Sequence, residues 1–506
     1  MPTERHRRAA VLAGAATLGA VGSLSAAWPA LWPLGLLALG GLATLVRRAA
    51  PGRAALAGWA FGGGWLLAAT WWLYISMHRY GGLPAGLAAL AVLLLALALA
   101  AYLAAAMALF ARGRRGHAGA DAALFATAWL GAELARGLLF TGFPWAAAGY
   151  GQVDGPLAAA LPWVGVYGAG ALAAGLVAWP LLGTAALRTR VMRALVAVGM
   201  LALLPLAGRD FTQGAGTLGV TLLQTHVAQD EKFAPERLPE ALAWLAQALH
   251  GARGPLVVAP ETAIPLLPDQ LGPAGWDALV APFRDGPRAA LVGLPLGSFE
   301  VGYTNSVAGL ARAAAAQPGG FYRYDKQHLV PFGEFIPPGF RWFVERMNIP
   351  LGDFARGPRV PPSFEWGGQR IGPNICYEDL FGEELARRFV APGDGPTILA
   401  NVSNIGWFGD TIAVAQHLHI SRARSLELQR PMIRATNTGA TAVIDHRGRV
   451  TAQLAPFTRG TLDAVVEGRR GVTPYARWAG SWGLAPLAAL AVLAAVLLGR
   501  WRRPGP

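Results

Sequence analysis

Cysteine, lysine and charge of either sign are scarce in this chain. One residue in 506 is cysteine, Cys376. A lone thiol cannot close an internal disulfide or build a multi-cysteine metal site, which leaves core filler or nucleophile. Two residues are lysine, Lys232 and Lys326, against forty-one arginines. Where lysine has been almost eliminated, a retained one is a candidate for work that the planar, permanently charged guanidinium cannot do. Charged residues make up only 14% of the sequence and mean hydropathy is +0.38, which argues against an ordinary soluble protein and for a membrane protein.

The apolarity is uneven. Residues 9 to 207 are nearly charge-free blocks separated by short basic links, residues 215 to 470 have the composition of a globular domain, and 486–498 is apolar again. Eight segments approach the ~20 residues a bilayer needs: Ala9–Ala27, Ala30–Val46, Leu56–Ile75, Leu83–Phe110, Ala122–Leu139, Pro156–Leu187, Val191–Ala207 and Trp478–Leu498. Only Trp28-Pro29 separates the first two. The expected division is a bundle of about seven helices over 1–210, an α/β domain over 215–470 and a last helix at 478–500. Arginine clusters sit at Arg5/Arg7/Arg8, Arg47/Arg48/Arg53, Arg112/Arg114/Arg115, Arg188/Arg190/Arg193 and Arg500/Arg502/Arg503. These are the N-terminus, every second connection and the C-terminus, so the positive-inside rule puts both termini in the cytoplasm and the α/β domain outside. The net charge of +14 is then topology and lipid contact; no nucleic-acid module accompanies it.

From Leu218 onward short apolar runs alternate with helical ones. Strands are expected at Leu218–Leu223, Leu256–Ala259, Ala289–Leu294, Ser306–Leu310, Phe321–Tyr324, Ile371–Ile375, Ile398–Val402, Ile433–Thr436, Thr441–Ile444, Val450–Leu454 and Gly460–Val465. Helices are expected at Pro239–Leu249, Glu383–Phe389 and Ala413–Leu428. Such interleaving predicts layers of helix over sheet.

Three of these runs end in reactive side chains. Glu261 follows the Leu256 run, Lys326 the Phe321 run and Cys376 the Ile371 run. A thiol needs a base or a positive field to become nucleophilic, a carboxylate can take its proton, and an ammonium can hold an oxyanion. Glu378 and Asp379 follow the cysteine and would be awkward in an apolar core, which favours the nucleophile over the filler. His328 lies two residues from Lys326 and is read as supporting. His417 and His419 diverge by about 200° on a helix and cannot share an ion, so no metal is expected.

The strings Pro260-Glu261-Thr262, Asp325-Lys326 and Asn374-Ile375-Cys376-Tyr377-Glu378 resemble the Glu-Lys-Cys pattern of the nitrilase, or carbon–nitrogen hydrolase, superfamily. The segment Lys326 to Phe335, Ser403-Asn404 with Trp407-Phe408-Gly409, Thr141-Gly142-Phe143-Pro144-Trp145 and the eight-span frame resemble the bacterial apolipoprotein N-acyltransferases within it. That resemblance implies an αββα sandwich carried on a transmembrane bundle in the bacterial inner membrane. It implies transfer of an acyl chain from a phospholipid, typically phosphatidylethanolamine, to the α-amino group of a diacylglyceryl-cysteine on an apolipoprotein, with no cofactor. It further implies Cys376 as thioester-forming nucleophile, Glu261 as general base and Lys326 as oxyanion partner. Glu334 and Glu378 become supporting acids, Tyr377, Asn305 and Trp407 lie near the site, and Trp145 sits on a membrane-edge loop. Phe233, after Lys232, stands where similar proteins often carry Trp, a departure that touches the substrate arm. The aromatic segment Pro337–Phe354 is either a core helix or a lid that dips into the interface.

Two other functions fit parts of the pattern. A membrane-tethered amidase would pass the acyl group to water with the same three residues. A transporter with an external binding domain would need intramembrane charges, and these are chiefly Glu133 and Arg136, spaced to pair with each other.

Overall fold

Backbone in hydrocarbon must satisfy its own N–H and C=O groups, and the apolar blocks do so as helices. The computed structural model of the protein describes residues 4–337, 339, 354–390 and 395–499. Within it the chain divides into two compact units, one of Met1–Tyr74, Ala85–Arg209 and Trp482–Pro506, the other of Ile75–Pro84 and Asp210–Ser481.

Helices in the first unit run over Glu4–Ser23, Trp32–Val46, Pro51–Thr70, Ala85–Gly113, Ala118–Leu138, Leu161–Ala178, Leu187–Leu203 and Ala485–Leu498. Each matches one expected segment, and Trp28-Pro29 does separate the first two. Six stretches among the described residues are long and apolar enough to cross a membrane, or seven if Pro474–Trp482 and Ala485–Leu498 are one broken span. The Pro51–Thr70 helix is not among the six, its mean hydropathy lowered by Arg53, two tryptophans and its glycines, several of which lie on its packing face. A Cβ on Gly64 would fall 2.0 Å from the Ala16 carbonyl oxygen, and one on Gly62 3.1 Å from the Ala100 Cβ. Small residues let helices approach closely where lipid gives no hydrophobic drive. Glu133 and Arg136, on the Ala118–Leu138 helix, have structural partners: Arg136 donates to the carbonyls of Phe143 (2.7 Å) and Trp145 (2.6 Å), while Glu133 accepts from the Ala148 N–H (2.7 Å). They lie 3.8 Å apart and pin the Thr141–Trp145 loop.

In the second unit twelve strands form two six-stranded sheets. They are β1 (Thr212–Gln224), β2 (Leu256–Val258), β3 (Ala289–Ser298), β4 (Gly302–Leu310), β5 (Tyr322–Asp325), β6 (Phe364–Trp366), β7 (Gln369–Ile375), β8 (Ile398–Ser403), β9 (Met432–Thr436), β10 (Ala442–Ile444), β11 (Val450–Gln453) and β12 (Gly460–Gly471). The orders are β12-β1-β2-β3-β4-β5 and β6-β7-β8-β9-β10-β11. Both sheets read antiparallel, parallel, parallel, antiparallel, antiparallel across these orders.

Alternation along the strands sorts side chains by face. Leu218, Val220 and Leu222 of β1 meet Ile398, Ala400 and Val402 of β8 in one core between the sheets. The opposite face of the first sheet packs Val257 and Val292 on the helices Leu238–Gly251 and Pro268–Arg284. That of the second packs Leu399 and Met432 on the helix Ile412–Leu428 through Val414 and Leu418. The result is the expected αββα sandwich. Two elements escaped the sequence reading. The strand β6 has only three residues, and Pro268–Arg284 is punctuated by Pro273, Pro282 and a kink at Gly272 (φ +67°). Of the segment Pro337–Phe354, expected to be core helix or lid, residues 338 and 340–353 lie outside the described residues.

Candidate active site

In an α/β sheet, side chains just past the carboxyl ends of parallel strands converge on one edge. Glu261 follows β2, Lys326 follows β5 and Cys376 follows β7. The structure brings the first two into contact, with Lys326 Nζ 3.3 Å from Glu261 Oε1. Lys326 also lies 2.8 Å from Glu334 Oε1, and all three side chains are buried. Asn305, opposite Pro295 in the β3–β4 register, donates its amide to Glu261 (2.8 Å) and to Glu334 (2.7 Å). The other Glu261 oxygen, Oε2, accepts the Asn404 backbone N–H at 2.8 Å. Burial alone would lower the Lys326 pKa, but Glu334 and Glu261 outweigh it and raise it, so the ammonium stays charged.

Cys376 opens a short 3-10 turn directly after β7, in the left-handed region at φ +50°. A non-glycine residue there is strained by about 1–3 kcal/mol, a cost that persists only where surrounding contacts hold it. Burial, then the Glu261 carboxylate, push the thiol up to about 12, while Lys326 and the Ser403 hydroxyl pull it down. The resting group is therefore a thiol. The sequence reading allowed a positive field to ionise it at neutral pH; desolvation wins instead.

Glu378 ties the lysine-bearing loop to the cysteine-bearing strand. Its Oε1 accepts the backbone N–H groups of Gln327 (2.7 Å) and His328 (3.3 Å). Its Oε2 accepts the Ile375 N–H (2.7 Å) and the Tyr324 hydroxyl (2.6 Å). The argument that acids beside Cys376 would be awkward in a core needs correction, because both are buried with dedicated partners. Asp379 meets Arg434 at 3.2 Å and also accepts from Ser421.

Other expected residues stand further out. The Tyr377 ring packs on Phe381 (5.2 Å) and His328 (5.7 Å), and His328 itself stacks on Phe381 and meets Glu384 at 3.2 Å. Trp407 lies three residues past Asn404 with its ring 5.7 Å from Tyr80. Phe233 is half-buried beside Lys232. Trp145 belongs to the first unit, buried with its ring 4.8 Å from Trp72. His417 and His419 have separate partners: the former meets the Cys376 carbonyl at 3.1 Å, the latter Arg422 at 3.2 Å.

Lys232 was missed as a site residue. It is buried and donates to the Glu261 carbonyl oxygen at 3.1 Å. Burial lowers it to about 8, opposed by Glu261 and Cys376. The scarcity argument that singled out Lys326 applies to it equally, so both lysines of the chain meet one glutamate.

Residues 18–179 match the family model of the apolipoprotein N-acyltransferase N-terminal domain, and residues 222–475 match the carbon-nitrogen hydrolase model. An apolipoprotein N-acyltransferase from Verminephrobacter eiseniae is 52% identical over 500 residues, 92% of each chain. One from Ralstonia nicotianae is 47% identical over 513 residues, 100% of this chain and 96% of that one. One from Nitrosomonas europaea is 37% identical over 89% of this chain and 90% of that one. Among solved structures, an amidase from Nesterenkonia sp. aligns over 53% of this chain and 95% of that one at 18% identity and a TM-score of 0.36, too low to add to these matches.

Proposed function

This chain belongs to the apolipoprotein N-acyltransferase family, and from that membership we propose that it transfers a fatty acyl chain from a membrane phospholipid to the α-amino group of a lipoprotein's N-terminal diacylglyceryl-cysteine. The observation that carries the chemistry is the buried Glu261–Lys326 contact (3.3 Å) beside a lone cysteine held at φ +50°.

The reaction has two halves. Glu261 takes the thiol proton as sulfur attacks the ester carbonyl, which lets a thiol with a raised pKa react without a standing thiolate. Negative charge forms on the carbonyl oxygen, and the Lys326 ammonium holds it. Collapse breaks the ester C–O bond, and the protonated Glu261 returns its proton to the departing lysophospholipid oxygen. The acyl chain is now a thioester on Cys376. In the second half an amine attacks that thioester, Glu261 takes a proton from the nitrogen, and collapse to the amide restores the thiol. Glu334 and Asn305 keep Lys326 in place, and Glu378 keeps the lysine loop on the cysteine strand. Neither half needs a cofactor.

The donor we infer is phosphatidylethanolamine. The location is the bacterial inner membrane with the α/β unit on its outer face, a reading supported by arginine clusters at alternate connections. Trp145, Trp407 and Phe233 are proposed to meet the lipid substrates. Intact-mass analysis tests the mechanism. Phospholipid alone should add one acyl chain to Cys376, and a diacylglyceryl-cysteine peptide should discharge it. Rapid fatty-acid release with no adduct would make the chain a hydrolase, and no change until both substrates are present would sink the covalent route. A reporter fused after Ala207 tests the topology, which fails if it is active only in the cytoplasm.

A further inference from the structure

Behind Cys376, on the helix Ile412–Leu428, lies a buried network that the two-step mechanism does not use. His417 is 1% exposed, and each of its ring nitrogens meets a group of fixed character. Its Nδ1 faces the Arg434 guanidinium at 3.0 Å, and its Nε2 faces the Cys376 carbonyl oxygen at 3.1 Å. Arginine can only donate and a carbonyl can only accept. Nδ1 must therefore accept and Nε2 must carry the hydrogen, which fixes a neutral imidazole in one tautomer. Burial, and then the Arg434 charge, hold the imidazole pKa well below its ordinary value, with Lys326 adding to the effect. Arg434 is fixed in turn by Asp379 at 3.2 Å and by the Ser421 hydroxyl, all of them buried.

We propose that His417 is a positioning residue for the nucleophile: held in one tautomer by Arg434, its Nε2–H anchors the Cys376 carbonyl and so keeps the cysteine in its left-handed conformation. The proposal rests on Cys376 being the nucleophile. Peptide planarity extends the effect by one group, because the Tyr377 N–H lies in the same plane as that carbonyl and points the opposite way. One hydrogen bond thus sets the direction of the thiol and of the next backbone donor. The alternative tautomer would put a lone pair of Nε2 against the carbonyl oxygen and a hydrogen of Nδ1 against Arg434, so the network admits one state.

Three substitutions in the full-length enzyme test this. A glutamine amide carries a donor and an acceptor with spacing close to that of the two imidazole nitrogens, so His417→Gln can meet both partners. His417→Asn, one methylene shorter, cannot span them, and His417→Phe meets neither. Expected for His417→Phe is a fall in kcat on the order of 10²-fold, with KM for phospholipid nearly unchanged, because the thiol is displaced while the lipid site is not. His417→Gln should recover most of kcat and His417→Asn should not. Alkylation of Cys376, the chain's only thiol, reads its surroundings without any acyl transfer. Its rate-against-pH curve should be displaced in His417→Asn and restored in His417→Gln. If the Phe variant does not fold, the Gln and Asn pair decides alone. Equal kcat and superimposable alkylation curves for Gln and Asn would overturn the proposal. Loss of transfer in Cys376→Ser tests the nucleophile separately.

Discussion

The two sheets of the α/β unit share one strand pattern but contribute different chemistry. Taking β12 to β5 against β6 to β11, β2 corresponds to β8 and β1 to β7. The exit of β2 supplies the carboxylate of Glu261, and the exit of β8 supplies the Asn404 N–H that binds it at 2.8 Å. The exit of β7 supplies Cys376, while that of β1 leads into the loop carrying Lys232, which binds the Glu261 carbonyl at 3.1 Å. The two groups proposed to take up the proton and hold the charge, Glu261 and Lys326, both follow strands of the first sheet. The second sheet carries Cys376, the proposed nucleophile, whose carbonyl meets His417 at 3.1 Å with Arg434 behind the imidazole at 3.0 Å. In the proposed mechanism matching frames divide the labour: one sheet handles protons and charge, the other holds the nucleophile, and the inter-sheet core keeps them in register.

The largest effect falls on the second sheet's single reactive atom. Cys376→Ser should reduce transfer on the order of 10⁴-fold or more, because a carboxylate base cannot activate an alcohol as it does a thiol. Near-normal turnover of the purified variant would remove the nucleophile from that sheet. On the first sheet, Lys326→Arg should fail nearly as badly as Lys326→Ala, with kcat down about 10²–10³-fold. The pocket between Glu261, Glu334 and Asn305 is shaped for a compact ammonium, and a planar guanidinium does not fit it. An Arg variant with most of wild-type kcat would make that charge generic.

The dependence on register has its own test. Ile398→Ala between the sheets and Leu249→Ala under the outer helix both open fully buried sites and should each cost about 2–5 kcal/mol. Only the first should lower kcat, by several-fold, measured in detergent at a temperature where both variants are folded. Equal effects would mean that stability alone, and not the relation of the sheets, governs the site.

The smallest effect is a pH dependence of stability. Lys232 is lowered from 10.5 to about 8 in the folded state. Between those values the unfolded chain binds more protons, so stability rises with pH and is lost again as pH falls through 8. The thermal midpoint of wild type relative to Lys232→Met should rise between pH 8 and 10.5; a flat difference would mean that Lys232 keeps an ordinary pKa.

Much of this was legible in the chain because strand and helix periodicities were clean and two residue types were rare. Eleven of the twelve strands coincide with apolar runs, since ten of these bury residues and β11 half-buries Val450 and Ala452. Glu261, Lys326 and Cys376 stood out as polar residues at the ends of such runs. Lys232 carried the same scarcity signal and was passed over, whereas Asn404 and His417 carry no local signal of a place in the site. Asn404 reaches Glu261 through its backbone, 143 residues away, and His417 acts on a carbonyl 41 residues distant. On sequence periodicity His417 is merely one more residue of a helix. The raised pKa of the thiol was equally hidden, because it arises from packing that only the closed sandwich creates.

That raised pKa has a consequence for durability. Oxidation of cysteine by peroxide proceeds through the thiolate, and a thiol at about 12 has a thiolate fraction on the order of 10⁻⁵ at pH 7. Between turnovers the resting sulfur is therefore chemically quiet although it retains some contact with solvent. In the proposed mechanism reactivity appears when an ester carbonyl arrives for sulfur to attack as Glu261 accepts its proton. No second cysteine is present in the chain to resolve a sulfenic acid, so a thiol held protonated until then should be the slower to enter the ladder of irreversible oxides.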